Sequence, residues 1–341
     1  MKDPNEGFRV FMLAIAASMG YALWVSLAGA EAAVNAPDRQ LDATYERTKS
    51  FGHLYVLDVY YLAVYRFPIR FDGLPASRPD GTLYLEGAQQ PTGLAVDRTG
   101  HVFVADWKAW GVAKFAVGAT GHRSPISTLA PKLCVPDYLK VDDPGRLYVH
   151  CNGDQTVRIF AKGARGNDPP LNVIPPYFQN EFVSDYTVSD AGTLYKLDYA
   201  GPVEVYKHPL RHPPQVDFFL KPQDGYEFNF YQVLALDQLT DHLYIEFYTR
   251  AESPWNKVNY AARALGEPRD PTPLDPLIFT GDCGSMQWNG VGGIVVSGQY
   301  LIVSCSSSGD VLAYRKDRFG RQHAVEKVIS NIYPGEIAIG P

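Results

Sequence analysis

Asp137, Asp185, Glu336 and His150 are the side chains best suited to chemistry in this chain. Carboxylates drawn from different strands could hold Ca2+, which prefers several oxygen ligands. A histidine beside them could act as a base or a further ligand. Thr92, Gln232 and Asn289 hold comparable positions and add hydroxyl and amide groups, with Lys140 as the base among them. Such a set would suit metal-assisted hydrolysis or elimination. It includes no nucleophile elbow, Ser-His-Asp order or phosphate-cradling glycine loop. Other sets are weaker. His53, His101 and His242 recur at one place in a turn, so they stand on different units, too far apart to share an ion. His208 and His212 flank prolines, where no helix forms to bring them onto one face. Asp58, Asp106 and Asp198 share a strand-end position with Cys151 and Cys305. An aspartate there commonly accepts hydrogen bonds from the following turn, and lining a ligand pocket is the alternative.

The elements that must position these residues come from a phrase repeated at intervals of roughly 50 residues, the mark of an array of small sheets. Its clearest copy is PTGLAVDRTGHVFVAD, Pro91 to Asp106: a short apolar strand, a glycine turn and a second strand. The second strand recurs from Gly52, Gly145, Gly192, Asp241 and Gln299, rich in β-branched and aromatic residues, as in a strand buried on both faces. First strands begin at Pro91, Pro136, Val183, Tyr231 and Val291, and third strands at Val112, Val157 and Val203. Edge-like fourth strands follow, near Ile126 and Leu171. Four antiparallel strands per unit make a propeller blade.

Six second strands face only five first strands, and PGEIAIG, Pro334 to Gly340, matches the missing one. The expectation is an all-β, six-bladed β-propeller of four-stranded antiparallel blades, spanning 51–341 and closed by a C-terminal strand at Ile337–Ile339. Closure would hide the edges that an open array exposes. The Pro-rich stretch Glu267 to Pro276 in the fifth unit reads as a surface loop.

The phrases P-x-G-[LI]-A-V-D, G-x-[LV]-[YF]-V-A-D and V-R-I-F resemble the NHL-repeat family of six-bladed propellers, best in the second and third units. The resemblance implies the fold and little about activity, because such repeats serve binding modules, lyases and lactonase-like hydrolases alike. The calcium-dependent gluconolactonase-type enzymes are similar in fold, but their DGLAVD and PNG phrases are missing here.

The chain has 341 residues, 46% hydrophobic and 20% charged, with a formal net charge of −6. An acidic chain without basic runs is a poor partner for nucleic acid or anionic membranes. Val10 to Ala30 carries no charge and lies behind Lys2 and Arg9. With small residues at Ala28, Ala30 and Ala32, residues 1–32 read as a signal peptide for periplasmic or secreted export, or as an uncleaved anchor. Residues 33–50 read as a linker. The cysteines fit export: Cys134 with Cys151 and Cys283 with Cys305 are the natural disulfide pairs, each tying a loop to its blade.

Loops before first strands and after second strands meet at the channel mouth of a propeller. That places Thr92, Asp137, Asp185, Gln232, Asn289 and Glu336 there, with Lys140 and Thr187 on inner strands. Lys140 would need Asp137, Asp185 or Glu336 as its partner. Tyr60, Tyr61, Trp107, Trp110 and Trp288 lie in nearby loops and could stack on a sugar or a peptide. Two functions follow. One is an exported binding module for a protein, peptide or glycan at the mouth. The other is a metal-dependent, lactonase-like hydrolase or lyase using Asp137, Asp185, Glu336 and His150. In the first case alanine at Asp185 and Glu336 should cost little stability.

Overall fold

The computed structural model describes residues 52–341 except 109–110, 131–133, 177–181, 199–201, 221–232, 241, 250–258, 266–276, 280–290, 317 and 319. Residues 1–32, 33–50 and the loop 267–276 therefore lie outside the described residues. Among those described there is no helix, and the strands form an all-β propeller.

The described residues form six sheets, four of four strands and two of five. Sheet 1 holds Pro334–Gly340, His53–Asp58, Ala63–Pro68, Gly81–Leu85 and Gly121–Arg123. Sheet 2 holds Pro91–Val96, Val102–Asp106, Gly111–Phe115 and Ser127–Leu129. Sheet 3 runs Pro136–Val141, Leu147–Cys151, Thr156–Phe160 and Asn172–Ile174, and sheet 4 Val183–Val188, Leu194–Asp198, Val203–Tyr206 and Phe218–Leu220. Sheet 5 holds Leu234–Asp237, His242–Thr249, Asn259–Leu265, Leu277–Phe279 and Gly320–Gln322. Sheet 6 holds Val291–Ser297, Tyr300–Cys305, Asp310–Arg315 and Glu326–Ile329. The first strand named in each is its inner strand.

The uniform four-stranded unit is corrected for sheets 1 and 5, because a neighbour lends each an outer strand. Gly121–Arg123, from the outer connection of sheet 2, pairs in parallel with Gly81–Leu85. Gly320–Gln322, from sheet 6, pairs likewise with Leu277–Phe279. At sheet 2 the same device shrinks to a bridge between Leu129 and Gly166. At sheet 3 it is made by a side chain: Asn172 Nδ2 donates to the carbonyls of Pro209 and Arg211, at 2.6 and 3.0 Å. Each connection satisfies polar groups on an edge that would otherwise offer a template for aggregation.

Second strands are enclosed on both sides. Leu147–Cys151 and Leu194–Asp198 are buried at every residue, as their β-branched and aromatic composition predicts. An apolar cluster fills each seam between consecutive sheets, and one joins sheet 6 to sheet 1 through Ile302, Val311, Leu54 and Ile337. Each fully buried Leu, Ile or Val side chain contributes about 1.5 to 3 kcal/mol. Inner strands approach closely where they carry glycine. A Cβ on Gly93 would collide with the Asp137 carbonyl oxygen of the next inner strand.

The C-terminal strand pairs antiparallel with His53–Asp58, from His53 opposite Gly340 to Asp58 opposite Pro334. Its Ile337 packs with Leu54 and Val56 in the core. The Cys134–Cys151 disulfide is present and closes a separation of 17 residues. Loop-closure entropy alone gives such a bridge roughly 3 kcal/mol. Cys305 is also disulfide-bonded; Cys283, its expected partner, lies outside the described residues.

Candidate functional site

The end of the propeller where inner strands begin and second strands finish is shaped by a repeated irregularity. In sheets 1, 2, 3, 4 and 6 the register between these two strands slips at the same place. Such β-bulges re-aim side chains at a sheet end. Thr92, Ser184 and Gly292 are left unpaired by them, and His150 stands opposite Asp137 and Tyr138.

Just inside this end lies an ionic network. Glu336, on the inner strand of sheet 1, accepts the Leu94 backbone N–H of sheet 2 at 2.7 Å. Its other oxygen accepts the Lys140 ammonium of sheet 3. Asp185, in sheet 4, accepts its neighbour Tyr186 N–H and the Leu234 N–H of sheet 5, both at 2.7 Å. Glu336 and Asp185 hold the same place in the repeat, where sheets 2 and 6 have Gly93 and Gly293. The carboxylates therefore act as clamps from one inner strand to the next.

Burial pushes Glu336 up to about 7, against the pull of Lys140 and the Leu94 N–H. Burial also raises Asp185, with Lys140 and two backbone donors opposing it. Burial alone would lower Lys140, but Glu336 and Asp185 reverse that and leave it above its ordinary value.

A pH dependence follows, with its sign fixed by Glu336. The unfolded chain loses this proton near 4.5 and the fold keeps it to about 7. Its contribution, on the order of 3 kcal/mol, is complete below the lower value and is lost as pH rises through the upper one. Thermal unfolding should therefore show a falling melting temperature between about pH 5 and about pH 8. Glu336→Gln should flatten that slope; an unchanged slope in the variant would refute the assignment.

Asp137 does not pair with Lys140. It accepts the His150 ring nitrogen Nδ1 at 2.5 Å, the Tyr138 N–H at 2.8 Å and the Asn152 amide at 2.9 Å. Thr92 donates its hydroxyl to the Pro136 carbonyl at 3.3 Å, and Thr187 is buried. Gln232 and Asn289 lie outside the described residues. Asp58 accepts the Tyr60 and Tyr61 N–H groups, and Asp106 those of Gln89 and Lys108. Both thus fasten loops. Asp198 instead joins a fully buried cluster in which Lys196 pairs with Asp198 at 2.8 Å and Glu204 at 3.0 Å. His53 and His101 bond locally, to the Pro341 carbonyl and to Asp97. Among the described residues no group of three or more His, Cys, Asp or Glu is arranged to hold a metal ion.

The exposed chemistry is aromatic. Tyr60, after a second strand, meets both its neighbour Tyr61 and Tyr333, which precedes the inner strand of sheet 1. Their exposures are 44%, 52% and 41%. Tyr60 lies 4.8 Å from Tyr333 with a 36° tilt, and 5.1 Å from Tyr61 at 89°. The Asp58 bonds and Val59 N–H to Tyr333 carbonyl, at 3.1 Å, hold this platform. Tyr333 joins the group through the pairing of the C-terminal strand with His53–Asp58, and as a loop residue before that strand it carries no repeat signal of its own. Trp107 is half-buried; Trp110 and Trp288 lie outside the described residues.

No protein-family profile matches the chain, and no curated protein sequence is significantly similar to it. Solved structures resemble it in fold. A chain of the nidogen/laminin complex aligns with a TM-score of 0.60 at 14% identity, covering 84% of this chain and 97% of that one. A protein from Bacteroides fragilis NCTC 9343, provisionally named a 6-phosphogluconolactonase, gives 0.55 at 13% identity, with 86% and 99% covered. The WD40 β-propeller domain of Doa1 gives 0.52 at 10% identity, with 84% and 81% covered. These likenesses establish a β-propeller fold.

Proposed function

We propose that the chain is an exported binding module, a six-bladed, NHL-like propeller closed by Pro334–Gly340, that holds a protein, peptide or glycan at its channel mouth. The observation that carries this reading is the exposed platform of Tyr60, Tyr61 and Tyr333. Three rings linked through Tyr60 offer broad apolar faces with polar tips and little conformational freedom to lose on binding. The carboxylates deeper in, by contrast, are engaged by backbone N–H groups and by Lys140. Structural resemblance to a chain of the nidogen/laminin complex supports a protein partner in general terms. Export is supported by the disulfide, which persists in oxidising compartments, and by the charge-free run behind Lys2 and Arg9.

Peptide and glycan arrays probed with the protein and with a Tyr60→Ala/Tyr333→Ala variant test the reading. Both side chains are substantially exposed, so the variant should melt within about 1 kcal/mol of the parent. It should lose at least about tenfold in affinity for the ligand that the parent binds. Ligands held equally by both proteins would place the site elsewhere.

A further inference from the structure

The tyrosine platform stands on a charge that no described residue neutralises. Asp58 is fully buried, and its Oδ1 accepts the Tyr60 and Tyr61 N–H groups at 3.0 and 2.9 Å. Its Oδ2 is buried without a hydrogen-bond partner. Burial raises its pKa, the N–H groups of Tyr61, Tyr60 and Tyr333 oppose this, and no cation is among the described groups that act on it. All three residues of the platform thus converge on one carboxylate through their backbones. Two other acids at this end of sheets 1 and 6, Glu336 and Asp310, already have Lys140 and Lys327.

The field of this carboxylate reaches past the loop that it fastens. Tyr65, on Ala63–Pro68, has its hydroxyl pushed up to about 12, first by burial and then by Asp58. The two loops of the platform are also held under constraint. Leu62 and Asn331 have φ of 50° and 61°, the left-handed region, which a leucine occupies only where its surroundings impose it. Such strain concentrates at ligand clamps.

Rings and carboxylate together indicate what would sit on the platform. The face of a tyrosine ring carries the negative side of its quadrupole, so a cation over it is drawn by the ring and by Asp58 alike. An anion would be repelled, and a neutral sugar would use the rings and leave the charge unmet. Between cations, the ammonium of lysine holds its water tightly, whereas a guanidinium is weakly hydrated and lies flat on a ring with its N–H groups free at the edge. We propose that the platform of Tyr60, Tyr61 and Tyr333 binds an arginine side chain of a partner protein or peptide, stacked on an exposed ring with Asp58 beneath as counter-charge. Asp58 is enclosed, so it acts through the loop that it anchors and does not touch the ligand; charge attraction persists across such a gap where water is excluded. The net charge of −6 agrees with a basic partner. The inference rests on the platform being the binding site and names what it binds.

The test follows the tyrosine ring signals of the full chain by NMR. End-blocked Gly-Arg-Gly, Gly-Lys-Gly and Gly-citrulline-Gly are titrated in turn, then maltose as a neutral sugar. Citrulline keeps the planar end of arginine and lacks its charge. The arginine peptide should shift the Tyr60, Tyr61 and Tyr333 rings and bind at least about fivefold more tightly than the citrulline peptide, with the lysine peptide between them. Asp58→Asn keeps an Oδ1 acceptor for the loop and should remove most of that advantage. The ring signals of the unliganded variant check that the loop is kept, and if it does not fold, arginine against citrulline on the parent decides alone. Equal binding of the arginine and citrulline peptides overturns the proposal, as does an advantage that survives in a folded Asp58→Asn. If maltose shifts the rings more tightly than the arginine peptide, or if arrays yield a ligand without arginine that the tyrosine variant loses while the rings ignore the arginine peptide, this proposal fails and the platform stands. If no probe moves the rings and the tyrosine variant binds every array ligand normally, the platform reading fails as well.

Discussion

Removal of residues 334–341 abolishes the cooperative unfolding transition. That stretch is the inner strand of sheet 1 and pairs along the whole of His53–Asp58. Without it His53–Asp58 becomes an unpaired edge, and Ile337 leaves the cluster formed with Leu54, Val56 and Ile302. Leu94 N–H and Lys140 lose Glu336 at the same time. Burial, strand pairing and charge pairing fail together, against a typical total stability of only about 5 to 15 kcal/mol. Circular dichroism and calorimetry on the truncated chain check this, and a synthetic peptide of residues 334–341 should restore part of the transition. A truncated protein melting cooperatively at the parental temperature would contradict it.

Glu336→Ala lowers stability by about 2 to 3 kcal/mol, because it strands Lys140 and the Leu94 N–H. This is less than for a fully enclosed pair, since the Lys140 side chain keeps 24% of its surface accessible. The corresponding positions in other inner strands are Ala95, Ala235 and Ala338 for the lysine, and Gly93 and Gly293 for the acid. The double change Lys140→Ala/Glu336→Ala restores the apolar pattern and should recover most of the loss. Denaturant unfolding of both singles and the double measures the coupling. Additive losses would show that the two residues do not act as a pair. Their carboxylates clamp adjacent inner strands, which argues for a larger cost of alanine at Asp185 and Glu336 than the small one expected from sequence.

Much of the fold is legible because its unit is local. The glycine turn and the apolar strands of Pro91–Asp106 recur in order, and the C-terminal PGEIAIG supplies the partner that Gly52–Asp58 lacks in the sequence before it. The Cys134–Cys151 pair follows from the same alignment. The borrowed outer strands at Gly121–Arg123 and Gly320–Gln322 are not legible, since three residues carry no periodicity and their partners lie in another unit. The clamps leave a signal in the sequence. One inner-strand position is glycine at Gly93 and Gly293 and acid at Asp185 and Glu336, which marks places where the next strand approaches closely or offers an N–H. The Lys196–Glu204 pair was likewise announced by charges within otherwise apolar strands, but only the register shows them opposite each other.

The central claim is that the channel carboxylates fasten the propeller and that recognition happens above them, at the mouth. Metal content and thermal unfolding of the protein, with and without a chelator, test this most directly. The account predicts no stoichiometric divalent ion and a melting temperature indifferent to chelation. A bound Ca2+ or other divalent ion, one per chain, whose removal lowers the melting temperature would contradict it and favour the hydrolase or lyase.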